Sequence, residues 1–158
     1  MIEVNEKLPS VQFQHFEGSD MKTVTTEELF AGKKVVLFAV PGAFTPTCSN
    51  AHLPGYVVKY DEFRAKGIDS VICLSVNDAF VMDAWGKASN AENLIMLADG
   101  AGDFSKAIGL DAETGIFGGV RSRRYAMIVN DGIVTHLNVE QPKAFEVSDA
   151  ETMLSLLD

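Results

Sequence analysis

Lys34-Val35-Val36-Leu37-Phe38-Ala39-Val40-Pro41-Gly42-Ala43-Phe44-Thr45-Pro46-Thr47-Cys48-Ser49 is the stretch on which the reading of this chain turns. Its first seven residues are a nearly continuous apolar, β-branched run. A run of that kind, ended by Pro41-Gly42, suits a strand covered on both faces, as in a parallel sheet. Downstream, between Thr45 and Lys66, apolar residues recur at Leu53, Tyr56, Val57, Tyr60 and Phe63, a helical stripe ended by Gly67. Ser70 to Val76 then repeats the character of the first strand. In this strand, helix, strand unit Cys48 falls in the first turn of the helix, at the carboxyl end of a strand. Open α/β sheets leave a crevice there, and the unpaired N–H groups of a helix start favour an anion such as a thiolate. Pro46 fits a first helical turn, and Pro54 predicts a kink or bulge further along.

The pattern continues outward in both directions. Thr25 with Glu28 offers a capping box for a short helix that Gly32 stops. Asp78 to Ala88 reads as an amphipathic helix, Leu94 to Ala98 as a third apolar strand, and Asp103 to Ile108 as a short helix before Gly109. The grammar then changes. Tyr125 to Val129, the turn Asn130-Asp131-Gly132, and Ile133 to Leu137 predict an antiparallel hairpin. Ser148 with Glu151 predicts a capping box for a last helix reaching Leu157. The expected fold class is α/β: a mixed central sheet with helices on both faces.

The 158 residues are 47% hydrophobic and 22% charged, with a net charge of −9 and two cysteines. One domain over residues 1–158 is expected, because a chain of about 150 residues buries roughly 70% of its unfolded surface without staples. Composition excludes disorder and a disulfide scaffold, and the longest apolar run is too short to cross a bilayer. Excess negative charge makes nucleic acid and membranes poor partners. Met1 to Gln14 lacks the pattern of a secretory leader, so a cytoplasmic protein is expected.

Most free cysteines are small buried hydrophobes, and position alone leaves that reading of Cys48 open. His52, one helical turn on, could bring an imidazole near sulfur, but protease chemistry lacks an orienting third group and metal ligation lacks a second ligand pair. A hydrogen-bonded structural histidine fits better. Three of the four arginines, Arg121, Arg123 and Arg124, fall within four residues. A surface stripe or a phosphate patch are the alternatives to a role at the thiol. Only Arg124 precedes the apolar run at its buried end; Arg121 and Arg123 have no assigned task. Gly115-Ile116-Phe117-Gly118-Gly119 follows no phosphate-loop pattern and reads as a flexible loop.

Pro-x-x-x-Thr-x-x-Cys after the first long strand resembles the active-site signature of peroxiredoxins, and Pro-Gly-Ala-Phe-Thr-Pro-x-Cys-Ser resembles their type five subfamily. Ser49 to Tyr56, Ser75 to Met82 with Trp85-Gly86, and Arg124 to Met127 ahead of Asp131-Gly132 are similar to that subfamily in order, so the resemblance spans nearly the whole chain. It implies a thioredoxin-like fold and a thiol peroxidase that reduces hydrogen peroxide and alkyl hydroperoxides with no cofactor and no metal. Cys48, as thiolate, would attack the peroxide and become a sulfenic acid.

An ordinary thiol is about 3% ionised at pH 7, so full ionisation adds only about 30-fold, or roughly 2 kcal/mol. Donors that favour the stretched O–O bond must supply the rest. By the family's pattern these are the Thr45 hydroxyl, the backbone N–H groups of Thr47 and Cys48, and the Arg124 guanidinium, with Pro41 shielding the thiolate. A cation is expected on energetic grounds too: lowering a thiol by about 2.5 pKa units takes roughly 3.4 kcal/mol, and a helix start supplies at most about 2. The resemblance further assigns Phe117 and the Phe44 region to the pocket wall and to a homodimer contact.

The best-known members of the subfamily carry a resolving cysteine near the C-terminus. This chain reads Glu140 to Ser148 there, without one. Cys73 lies within an apolar strand and is expected to pack in the core, since a disulfide needs Cα atoms within about 7 Å. A one-cysteine mechanism is therefore expected, with glutathione, a glutaredoxin or a thioredoxin as external thiol reductant. The alternative from another class is a non-enzymatic redox sensor or chaperone module.

Overall fold

The computed structural model describes residues 1–157. An N-terminal hairpin, β1 (Gln12–Glu17) and β2 (Asp20–Thr25), leads into α1 (Thr26–Phe30). The capping box expected there forms: Glu28 N–H donates to the Thr25 hydroxyl at 3.2 Å, and Thr25 N–H to the Glu28 carboxylate at 3.0 Å. β3 (Lys34–Ala39) follows. The next helix opens at Pro46, widens into a π-helical turn over Cys48–His52, and continues as α2 (Leu53–Ala65). In the wide turn Leu53 N–H reaches back to the Cys48 carbonyl. Pro54, which has no N–H to donate, stands directly after it, where the sequence implied a bulge.

β4 (Ser70–Ser75), α3 (Ala79–Ala88), β5 (Ile95–Ala98) and α4 (Asp103–Ala107) come next, each within about a residue or two of its expected bounds. β8 (Tyr125–Asn130) and β9 (Ile133–Val139) form the hairpin, with Asp131 and Gly132 both at positive φ, as a tight two-residue turn requires. Before them, β6 (Asp111–Glu113) and β7 (Val120–Ser122) pair around a 3-10 turn at Gly115–Phe117. The glycine-rich segment read as a flexible loop is thus the tip of a small hairpin, its Thr114 hydroxyl donating to the Gly119 carbonyl at 2.7 Å. The last helix, α5 (Ala150–Ser155), is capped by Asp149, not by Ser148. Asp149 accepts from Thr152 N–H at 3.1 Å, while the Ser148 hydroxyl donates to Glu140 at 2.7 Å. Two adjacent capping residues competed, and tertiary demand removed Ser148.

Seven strands make one mixed sheet in the order β2-β1-β5-β4-β3-β8-β9. β3, β4 and β5 run parallel; β8 is antiparallel to β3. Alternation along the pleat divides the core. Val36 and Phe38 face α2, α3 and α5 together with Cys73, Tyr56, Trp85 and Met153. Val35, Leu37 and Ala39 face α1 and α4 together with Phe30, Phe104 and Val129. This is the expected thioredoxin-like arrangement, with helices on both faces.

Candidate active site

The antiparallel pairing of β8 with β3 builds the site. Tyr125 lies opposite Ala39, so Arg124, one residue earlier, is delivered to the carboxyl end of β3, where the chain turns into the Cys48 helix. On the other side of β8, Tyr125 pairs with Val139, and Glu140 N–H donates to the Arg124 carbonyl at 3.0 Å. Three sequence-distant segments therefore meet within one rung of the ladder.

Cys48 is fully buried. The Arg124 guanidinium bridges it to the helix: one terminal nitrogen is 3.1 Å from Cys48 Sγ, and the other is 2.8 Å from His52 Nδ1. His52 Nε2 lies 3.0 Å from the Ser148 carbonyl, which also accepts from the Tyr56 hydroxyl at 2.7 Å. Since arginine can only donate, Nδ1 accepts and Nε2–H donates, which fixes one neutral tautomer. Burial, reinforced by the Arg124 charge, pushes His52 down to about 3, so the ring stays neutral beside the cation. It holds the guanidinium without repelling it. The Phe145 ring covers both, 5.9 Å from Arg124 Cζ and 4.9 Å from the imidazole.

Ser148 is itself held. Burial pushes the Glu140 carboxyl up, but bonds from the Ser148 hydroxyl and from the N–H groups of Glu146, Val147 and Ser148 outweigh it and keep the group below the usual carboxylate range. The partnership of Glu140 with Ser148, which the sequence offers only as a helix cap, is not visible in the sequence, because it depends on the β8–β9 register. The role of Asn77 is hidden too: its side-chain oxygen accepts from Ala43 N–H at 3.0 Å and from the Ser75 hydroxyl at 2.6 Å, pinning the loop after β3. Phe44, in that loop, sits at φ 64, a conformation rare for a residue with a Cβ.

The remaining expected residues divide. Pro41 and Thr47 line a cleft of about 480 Å³ beside the thiol, together with Arg124. Thr45 is in the same loop, but its hydroxyl donates to the Gly42 carbonyl at 2.7 Å and not to sulfur. Phe117 is 73% exposed on the tip of the β6–β7 hairpin and takes no part in the lining, so in the single chain it does not wall the pocket as expected. Cys73 sits mid-strand on β4, opposite Phe38, fully buried, and burial raises its thiol well above the usual range. Both cysteines are free.

A family profile described as Redoxin matches residues 3–154. Among curated proteins, peroxiredoxin-2E, chloroplastic, of Arabidopsis thaliana is 51% identical over 99% of this chain and 69% of its own length. The crystal structure of reduced Prx3 in complex with H2O2 from Vibrio vulnificus is 58% identical and superposes with a TM-score of 0.98 over 100% of both chains. Peroxiredoxin 5 from Alvinella pompejana is more distant, 35% identical with a TM-score of 0.87 over 98% of this chain and 97% of its own.

Proposed function

Starting from the fact that the chain belongs to the redoxin group as a peroxiredoxin, a thiol peroxidase, we propose that Cys48 is the peroxidatic residue of a one-cysteine enzyme of the type five subfamily. The observation that carries this is the Arg124 nitrogen 3.1 Å from a fully buried Cys48 Sγ, with Arg124 itself and the neighbouring Thr47 lining a cleft of about 480 Å³.

The thiolate displaces the terminal peroxide oxygen. The S–O bond forms as O–O breaks, sulfur is oxidised to the sulfenic acid, and the departing oxygen takes a proton and leaves as water or an alcohol. Arg124 favours the thiolate and then the charge that moves onto oxygen; fixed by His52 before substrate arrives, it needs no reorganisation during the step. Because the Thr45 proton is committed to Gly42, its oxygen meets the peroxide O–H as an acceptor. The N–H groups of Thr47 and Cys48, in the first helical turn, supply further donors, and Pro41 keeps bulk water from sulfur. Hydrogen peroxide and alkyl hydroperoxides are the substrates of this reading; the similar Vibrio vulnificus protein was crystallised with H2O2.

No second reactive thiol supports an internal disulfide, since Cys73 is a central-strand thiol pushed toward its protonated form. An external thiol, glutathione, a glutaredoxin or a thioredoxin, therefore returns the enzyme to its reduced state. The exposed Phe44, Phe80, Ile116 and Phe117 are the surface we assign to a homodimer contact, and two free thiols fit a reducing compartment such as the cytoplasm. Peroxide turnover with each reductant system in turn, in wild type and Cys48→Ser, tests the reading. Activity is expected with at least one system in the wild type and with none in the variant; turnover by Cys48→Ser would overturn it.

A further inference from the structure

The cleft beside Cys48 holds more charge than a peroxide can use. Besides Arg124 it is lined by Arg121, Arg123 and Lys143, four cations in a chain of net charge −9. Among the described residues, the ion pairs within 4 Å are His15–Glu17, Lys59–Glu62 and Lys87–Asp83, so none of the four cations has a carboxylate partner. The acid in the lining, Glu140, spends its carboxylate on the 146–148 backbone and on Ser148. Arg123 and Arg121 make single bonds, to the Glu140 and Val76 carbonyls at 3.3 and 3.4 Å. The buried Arg121 Nε has no partner at all. Lys143 is exposed and held at φ 66 in the loop that closes the cleft.

Half-buried guanidinium groups left without counter-ions are costly unless an anion visits them. Hydroperoxides are neutral at pH 7 and occupy little space, roughly two water volumes of about 30 Å³ each for hydrogen peroxide, against a cleft of about 480 Å³. The molecule that follows is different. A thiol attacks the sulfenic acid as its thiolate, and an anion approaching a protein of net charge −9 is repelled on average but meets four cations in this cleft.

Resting on the one-cysteine reading above, we infer that Arg123 and Lys143, with Arg121 behind them, form a carboxylate subsite that recruits a small thiol bearing one or more carboxylates. Its thiolate joins Cys48 sulfur as a mixed disulfide while the sulfenic oxygen takes a proton and leaves as water. A second equivalent of the thiol then attacks the mixed disulfide, releasing the oxidised dimer of the thiol and the Cys48 thiolate.

The test oxidises the full chain with one equivalent of hydrogen peroxide, confirms the sulfenic acid by a one-oxygen mass gain, and mixes it with mercaptosuccinate or with neutral 2-mercaptoethanol. Trp85, whose indole N–H bonds Ser49 Oγ next to Cys48 at 3.0 Å, reports the reduction by fluorescence. In Arg123→Gln/Lys143→Gln the mercaptosuccinate rate is expected to fall about tenfold, the low end of what charged clefts do to encounter rates, with 2-mercaptoethanol little changed. Lys143→Arg should restore part of the loss to the Lys143→Gln single variant, and added salt should erode the wild-type preference. Equal losses for both thiols, or none, would overturn the subsite. So would a charge preference confined to the oxidation step, seen as a carboxylated hydroperoxide outpacing cumene hydroperoxide. Failure of peroxide to add oxygen to Cys48 would instead refute the peroxidase assignment, leaving the two outcomes separable.

Discussion

Lowering the pH should destabilise this protein through His52 before its carboxylates contribute. The buried ring is pushed from 6.5 to about 3, by burial first and by the Arg124 charge second. In the unfolded chain it takes up a proton near pH 6.5; in the folded chain it does not until about pH 3. Across that window the unfolded state binds more protons, so stability falls as pH falls. At about 1.4 kcal/mol per unit, the loss is of order 2 kcal/mol by pH 5 and of order 5 kcal/mol by pH 3. Glu140, lowered from 4.5, begins to add its loss only as the pH falls through that unfolded value and continues below it, so the interval from about pH 7.5 to 5 isolates histidine. His52→Gln keeps an N–H for the Ser148 carbonyl and abolishes the titration. Urea unfolding of both proteins across that interval should show wild type losing about 2 kcal/mol more than the variant. Parallel curves would mean that the folded ring accepts a proton freely, and the picture of a neutral acceptor holding Arg124 would be wrong.

Other perturbations have equally definite outcomes. Arg124→Ala should slow peroxide reduction by about 10²–10³, as loss of a fixed transition-state donor does, and Arg124→Lys should fall between, since a single ammonium cannot bridge His52 and sulfur; stopped-flow oxidation kinetics read both. Cys73→Ser should be oxidised at the wild-type rate, and mass spectrometry of wild type after one equivalent of peroxide should show no intramolecular Cys48–Cys73 bridge; a species two hydrogens lighter than the reduced chain would end the one-cysteine reading. Gly118→Ala would drive a Cβ into the Arg121 guanidinium at Nε, and thermal unfolding should show a loss of about 1–3 kcal/mol, typical of overpacking. An unchanged midpoint would show that Arg121 can leave its seat.

How much of this was legible beforehand follows physical lines. Val35 to Val40, the Leu53 to Phe63 stripe and the Asp-Gly hairpin announce themselves, because each pattern is local and each burial is one-sided or complete. Cys48 and Arg124 were found by motif and by composition. Their closeness is a consequence of β8 running against β3, a pairing that no local pattern states. The supporting residues were hidden for the same reason: Ser148 looks like a helix cap until Glu140 claims its hydroxyl, and His52 looks merely structural until the register brings Arg124 to its Nδ1. Arg121 and Arg123 showed no task in one dimension. Only the cleft in which they meet gives them one.

The wide turn at Cys48–His52 also bears on how such a site is inherited. A π turn is a helix carrying one residue more than its ladder needs, and each residue of a regular helix is worth about 100° of rotation. Removing one residue between Ser49 and Ala51 would let the ladder close as an α-helix and swing the sulfur about 100° away from the guanidinium, with the core behind α2 left as it was. Exchanges at the exposed positions of this helix leave that phase alone, whereas an insertion or deletion between Cys48 and His52 rotates the sulfur away from Arg124: the catalytic phase of the molecule is written in a count of residues.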